Sequence, residues 1–153
     1  MEVFRIAKNK YIHDLAGTGS RLNGGRWNSK GESVVYMSSY RSLAVLEMIV
    51  HVPQKNLTND YQIATIHIPE KIKVKTLSIE MLPEHWRTVT ISPRLQAIGD
   101  QWLKESKYCV FQVPSVVIPQ EWNYIINPAH PEAKDIMIIK TENLVLDERF
   151  IES

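Results

Sequence analysis

Residues 61–68, YQIATIHI, alternate closely enough to predict a strand, with Ile63, Thr65 and His67 on one face and Gln62, Ala64, Ile66 and Ile68 on the other. The same two-residue period recurs along the chain. VFRIA (3–7) reads as a short strand, and VVYMS (34–38) as another, with Val35 and Met37 on one face and Tyr36 on the other. KIKVKTL (71–77) alternates with its lysines outward, YCVFQVPS (108–115) and NYIINP (123–128) read as extended segments ending near a proline, and DIMIIKT (135–141) is a further strand. Helical spacing is found twice. One helix is expected from a cap at Ser38 or Ser39 to about His51, stopped by Pro53; the other runs from Pro93 to Lys104 on Leu95, Ile98, Trp102 and Leu103. Strands outnumber helices and do not alternate regularly with them. That order predicts an α+β mixed fold, with strands predominating, rather than a doubly wound sheet. With no repeat, low-complexity tract or linker in 153 residues, a single domain over 1–153 is expected, large enough to bury a core without staples.

Charge narrows the function classes. Eighteen Lys and Arg face seventeen Asp and Glu, so there is no basic excess for nucleic acid or for an anionic membrane surface. One cysteine, Cys109, precludes an intrachain disulfide and suits a reducing compartment. No apolar run is long enough to span a bilayer, and MEVFRIAKNK lacks a signal-peptide core, so a cytoplasmic protein is expected. His13, His51, His67, His85, His130 and Cys109 show no metal-ligand spacing, and the phosphate-loop patterns are absent.

The chemistry-bearing candidates cluster in two regions. Residues 14–33 hold five of the six glycines together with Asn23 and Asn28, a long connection of the kind that carries function in compact domains. Arg26 sits there between glycine and Trp27; it is either a fork of donors for phosphate or carboxylate, or a loop arginine packed on the tryptophan. Tyr36 either stacks on a planar ligand or belongs to the core. In the helix that follows, Leu43, Glu47 and Val50 share a face, so Glu47 puts an acid where the pattern asks for an apolar residue. It is either paired with a surface cation or aimed into a cavity, and periodicity leaves both open. The second region, VPSVVIPQEWNYIINPAHP (113–131), holds Ser115, Asn123, Asn127 and His130. Ser115 lacks the elbow of a serine nucleophile and reads as a hydrogen-bonding residue.

Together, GSRLNGGRWNSKGESVVYMSSYRSLAVLEMIVH (19–51), VPSVVIP (113–119) and NYIINPAHP (123–131) resemble the RES-domain family, the toxin halves of bacterial toxin–antitoxin pairs, named for an arginine, a glutamate and a serine. Arg26, Glu47 and Ser115 match those naming positions. The resemblance implies a fold similar to ADP-ribosyltransferases and NAD as a substrate rather than a cofactor. It implies cleavage of the nicotinamide–ribose bond by water or phosphate, with transfer of ADP-ribose to a protein as the alternative. A non-catalytic module that binds an NAD-like ligand or an antitoxin is the rival of another class. By the same resemblance, Glu47, Arg26, Tyr36 and Ser115 form the catalytic set: Glu47 against the ribose, Arg26 on the pyrophosphate or its ribose, Tyr36 against nicotinamide, Ser115 fixing the substrate. Arg5, Asn28 and Asn127 join Arg26 and Tyr36 in holding the nucleotide, and His130 helps Asn127 shape the wall. The implied partner is a helix-turn-helix antitoxin, in an oligomeric complex.

Overall fold

Strand β3 (Tyr61–His67) sits between β1 (Glu2–Lys8) and β7 (Met137–Asn143) in the computed structural model, which describes residues 1–151. It pairs antiparallel with both, from Glu2 opposite His67 to Lys8 opposite Tyr61 on the β1 side. A second antiparallel group joins β2 (Val35–Ser38), β6 (Trp122–Ile126) and β5 (Val110–Pro114), and β4 (Val74–Thr76) adds to β5 in parallel. The seven strands form one sheet in the order β4-β5-β6-β2-β1-β3-β7. Its two halves meet at β1 and β2, through the single register pair Phe4–Ser38. The mixed α+β architecture is the one expected from the order of elements. The expected domain, 1–153, has its last two positions outside the described residues.

Each face of the sheet carries its own core. Val3, Val35, Met37, Ala64, Ile66, Val110 and Ile126 point to one side and pack with Ile12, Ile72 and Ile136 from connecting segments. The other side carries the two long helices. Helix α3 (Pro93–Glu105) places Leu95 and Trp102 on Phe111, Val113 and Ile125, with Trp102 stacked on Phe111 at 5.2 Å between ring centroids. Helix α2 (Arg41–His51) buries Leu43, Ala44 and Met48, and Met48 packs with Ile6 and Tyr61 of the other half-sheet and with Leu57 of the connection before β3. A gap between the helices therefore stands over the line where the halves join.

Four local expectations are corrected. Residues 14–33 are not all loop, since α1 (Thr18–Asn23) lies within them. Gly17 precedes α1 at φ 70°, and a Cβ there would stand 2.6 Å from the Val34 carbonyl oxygen, so glycine is required. Helix α2 begins at Arg41 with Tyr40 at its N-cap and no side-chain cap, because the Ser38 hydroxyl is spent on Asn123 Oδ1 at 2.7 Å. Val50 does not share the buried face: it is 59% exposed, and the buried stripe runs through Leu43, Ala44 and Met48. Finally, β4 covers only Val74–Thr76 of the expected 71–77.

Cys109 is fully buried, and burial pushes its thiol up to about 12. The neutral thiol is the folded-state form, so its contribution to stability is complete below the ordinary thiol value near 9 and is lost as pH rises toward 12. Native protein is expected to leave Ellman's reagent unreacted at pH 8 and to titrate one thiol on unfolding. Among the described residues, no helix is long and apolar enough to cross a membrane.

Candidate active site

The gap between the helices is a cleft of about 520 Å³. Its floor comes from Phe4, Ile6, Tyr36, Ser38 and Asn123 at the junction of the half-sheets, one wall from Ala44, Glu47, Met48 and His51 of α2, and the other from Gly24–Trp27 with Val89 and Ile91. That size and mixed lining fit a small-molecule site.

Glu47 hangs over the floor with a side chain 19% exposed. Its Oε1 accepts from the Ser115 hydroxyl at 2.7 Å and from Asn123 Nδ2 at 2.6 Å. Among the described residues its Oε2 has no hydrogen bond; His51 Nδ1 is 3.8 Å away and sits 2.7 Å from the Glu47 main-chain oxygen. Both anchors are themselves fixed. The Ser115 hydroxyl accepts from the backbone N–H of Val117 and Ile118, both at 3.1 Å, and Asn123 Oδ1 accepts from Ser38. One carboxylate oxygen is thus pinned while the other is left for the cleft. Ser115→Ala is expected to lower stability by about 1–3 kcal/mol in urea melts, because it strips acceptors from two backbone donors and a donor from Glu47.

Arg26 stands at the opposite wall. Its Nη1 donates to the carbonyls of Thr88 at 3.1 Å and Trp86 at 3.4 Å, and among the described residues the other guanidinium donors are open. Burial pulls the guanidinium below its ordinary value, while the charge of Glu47 opposes that. Tyr36 lines the cleft, but its hydroxyl is committed to the loop: it donates to Asn28 Oδ1 at 2.6 Å and accepts from Trp27 N–H at 3.1 Å. Burial raises its phenol above the ordinary value, so it stays neutral.

The structure does not bring all the expected residues together. Asn28 is fully buried and spends its amide on the carbonyls of Ser20, Ser29 and Glu32, which makes it a staple of the loop rather than part of the cleft wall. Asn127 is buried outside the cleft and accepts from Ala129 N–H; His130 caps a short turn through Glu132 N–H and borders a separate, open depression. Arg5 belongs to the cleft wall, but its Nη1 donates to the carbonyls of Ile12 at 2.7 Å and Tyr11 at 3.0 Å, away from Phe4 and Ile6 in the alternation. Ser115, expected to touch substrate, has its hydroxyl engaged by Glu47 and the backbone. Sequence reasoning gave no role to two site residues, His51 and Asn123, although it named Asn123 in the second region. His51 carried a signal, one helical turn beyond Glu47; Asn123 carried only its place opposite a strand no local pattern could pair with it.

Known proteins resemble this chain in sequence and in fold. Residues 2–147 match the RES domain. A protein named Toxin Res from Photorhabdus laumondii subsp. laumondii is 36% identical over 155 residues, covering 100% of this chain and 99% of that one. A protein from Sphingobium sp. named Prs ADP-ribosylating toxin is 35% identical over 147 residues, covering 95% and 91%. The toxin–antitoxin complex of MbcT and MbcA from M. tuberculosis contains a chain of similar fold, with a TM-score of 0.78 at 16% identity, covering 94% of this chain and 84% of that one. A domain match over nearly the whole length, joined to full-length relatives above 30% identity, places this chain in the RES domain family.

Proposed function

We propose that the chain is the toxin of a toxin–antitoxin pair and that it acts on NAD by breaking the nicotinamide–ribose bond. The observation that carries the reading is Glu47, with one oxygen pinned by Ser115 and Asn123 and the other facing a cleft that Arg26 borders. As the bond breaks, the electron pair leaves with nicotinamide, whose ring becomes neutral, and positive charge builds on the ribose. Glu47 stabilises that charge, and its fixed position means little reorganisation at the moment of reaction. Nicotinamide needs no proton to leave, so no strong general acid is required. Arg26 offers its open donors to the pyrophosphate. In this reading Ser115 acts through Glu47 rather than on the substrate. An oxygen of water or phosphate then closes on the ribose carbon; with water, a proton is released.

Purified protein with phosphate present is expected to consume NAD and release nicotinamide. Intact NAD after long incubation rejects the reading, and calorimetric binding without turnover favours a binding module. A second reading, transfer of ADP-ribose to a protein, is favoured by the name of the Sphingobium relative. Labelled NAD separates the two: label on a macromolecule means transfer, and free ADP-ribose or its phosphate means breakdown. We further propose a helix-turn-helix antitoxin as partner in an oligomeric complex, which co-expression and light scattering test directly.

A further inference from the structure

We propose that helix α3 is the positioning element for Arg26: Gln96 and Asp100, acting through the backbone of residues 25–29, set where its guanidinium stands and so set the affinity for the anionic part of the substrate. This rests on Arg26 as the anion-holding group of the reading above.

Arg26 and Trp27 form the tip of a tight turn that Gly25 N–H closes on the Asn28 carbonyl at 2.9 Å. A single side chain ties both ends of that turn to α3. Gln96 Nε2 donates to the carbonyls of Gly25 at 3.0 Å and Asn28 at 3.1 Å. One helical turn on, Asp100 takes the next residue: Oδ1 accepts from Ser29 N–H at 3.0 Å and Oδ2 from the Ser29 hydroxyl at 2.5 Å. Between the two lies Gly99, where an added Cβ would come 1.7 Å from the Trp27 carbonyl oxygen. The backbone of the turn rests directly on the helix there. From the opposite side, Tyr36 accepts from Trp27 N–H and donates to Asn28. The head of Arg26 is held by the carbonyls of Trp86 and Thr88, on the segment that runs into α3. One helix therefore fixes the backbone beneath Arg26, and the chain against which its guanidinium leans continues into that helix. These polar side chains have an assignment that a solvated helix face would not give them.

The test uses Gln96→Leu, Gln96→Glu, which keeps the size but loses the donors, and Asp100→Ala. Each is expected to raise KM for NAD, and Kd for inorganic pyrophosphate by calorimetry, about tenfold, with kcat within about threefold, because a small misplacement of a binding group costs affinity steeply. Asp100→Asn is expected to restore affinity, since its amide oxygen accepts from Ser29 N–H and its NH2 donates to the Ser29 hydroxyl. In an Arg26→Ala background, Gln96→Leu is expected to add no further loss. The Arg26 Nε–H cross-peak in NMR is a readout free of any ligand and should shift in Gln96→Leu. An unmoved cross-peak, affinity within twofold of wild type, or an additive loss in the Arg26→Ala background overturns the proposal. A wild type that holds pyrophosphate through Arg26 yet leaves NAD intact sinks the function and leaves the positioning role standing. A wild type that consumes NAD while the Gln96 variants match it sinks the positioning role alone.

Discussion

Glu47→Gln is expected to lower kcat for NAD breakdown by about 100- to 1,000-fold, the usual cost of removing one electrostatic group from a reacting centre. The fold should survive it. The amide oxygen of glutamine can occupy the place of Oε1 and accept the same bonds from Ser115 and Asn123, so no buried partner is orphaned. Only the charge on the cleft side is lost. Stability in urea should therefore stay within about 1 kcal/mol of wild type. Glu47→Ala provides the contrast: it leaves the Ser115 hydroxyl and the Asn123 amide without their acceptor and should lose about 1–3 kcal/mol as well as activity. An unfolded Glu47→Gln protein would make the residue structural; a folded one with full turnover would remove it from the chemistry.

Gly99→Ala carries the second large effect, and here two physical effects oppose each other. Alanine is the better helix former, by roughly 1 kcal/mol. The new methyl, however, would lie 1.7 Å from Trp27 O and 2.7 Å from Trp27 C, both backbone atoms that cannot swing aside. The loop must retreat from α3, and forced overpacking of that kind costs about 1–3 kcal/mol or more. The clash should win, lowering Tm by roughly 5 °C. The retreat also breaks the Gln96 and Asp100 contacts, so KM for NAD should rise with it. A Tm at or above that of wild type would mean that helix propensity dominates and that the loop yields freely.

The parts of the fold that could be read from sequence are those whose signal is local. β3 shows its period because it is paired on both sides, and α3 shows its apolar spacing and its initial proline. Helix α1 was illegible because two of its neighbouring or internal positions, Gly17 and Gly19, argue against helix. It is held instead by tertiary bonds, the Ser20 hydroxyl to the Val34 carbonyl and Gly31 N–H to the Arg21 carbonyl. In the site, Glu47 stands out as an acid in an apolar stripe, although that stripe does not extend to Val50. Its anchor Asn123 and the Gln96–Asp100 pair look like ordinary polar positions until the chain is folded. Asn28 and Asn127, which the resemblance assigns to the nucleotide, lie outside the cleft lining. Both are buried and satisfy backbone groups, a role that only the folded chain shows.

The span of these contacts along the chain has a consequence in time. Ser115 and Asn123 follow Glu47 by 68 and 76 residues, and Gln96 follows the Gly25 carbonyl it holds by 71. A ribosome delivers Arg26 and Glu47 early, but neither has its supports when it emerges. The carboxylate gains its second anchor only when residue 123 of 153 is free to pair as β6 beside β2. The reactive arrangement therefore cannot accumulate gradually during synthesis. It arises as one late event, and a chain interrupted before β6 is expected to leave NAD intact.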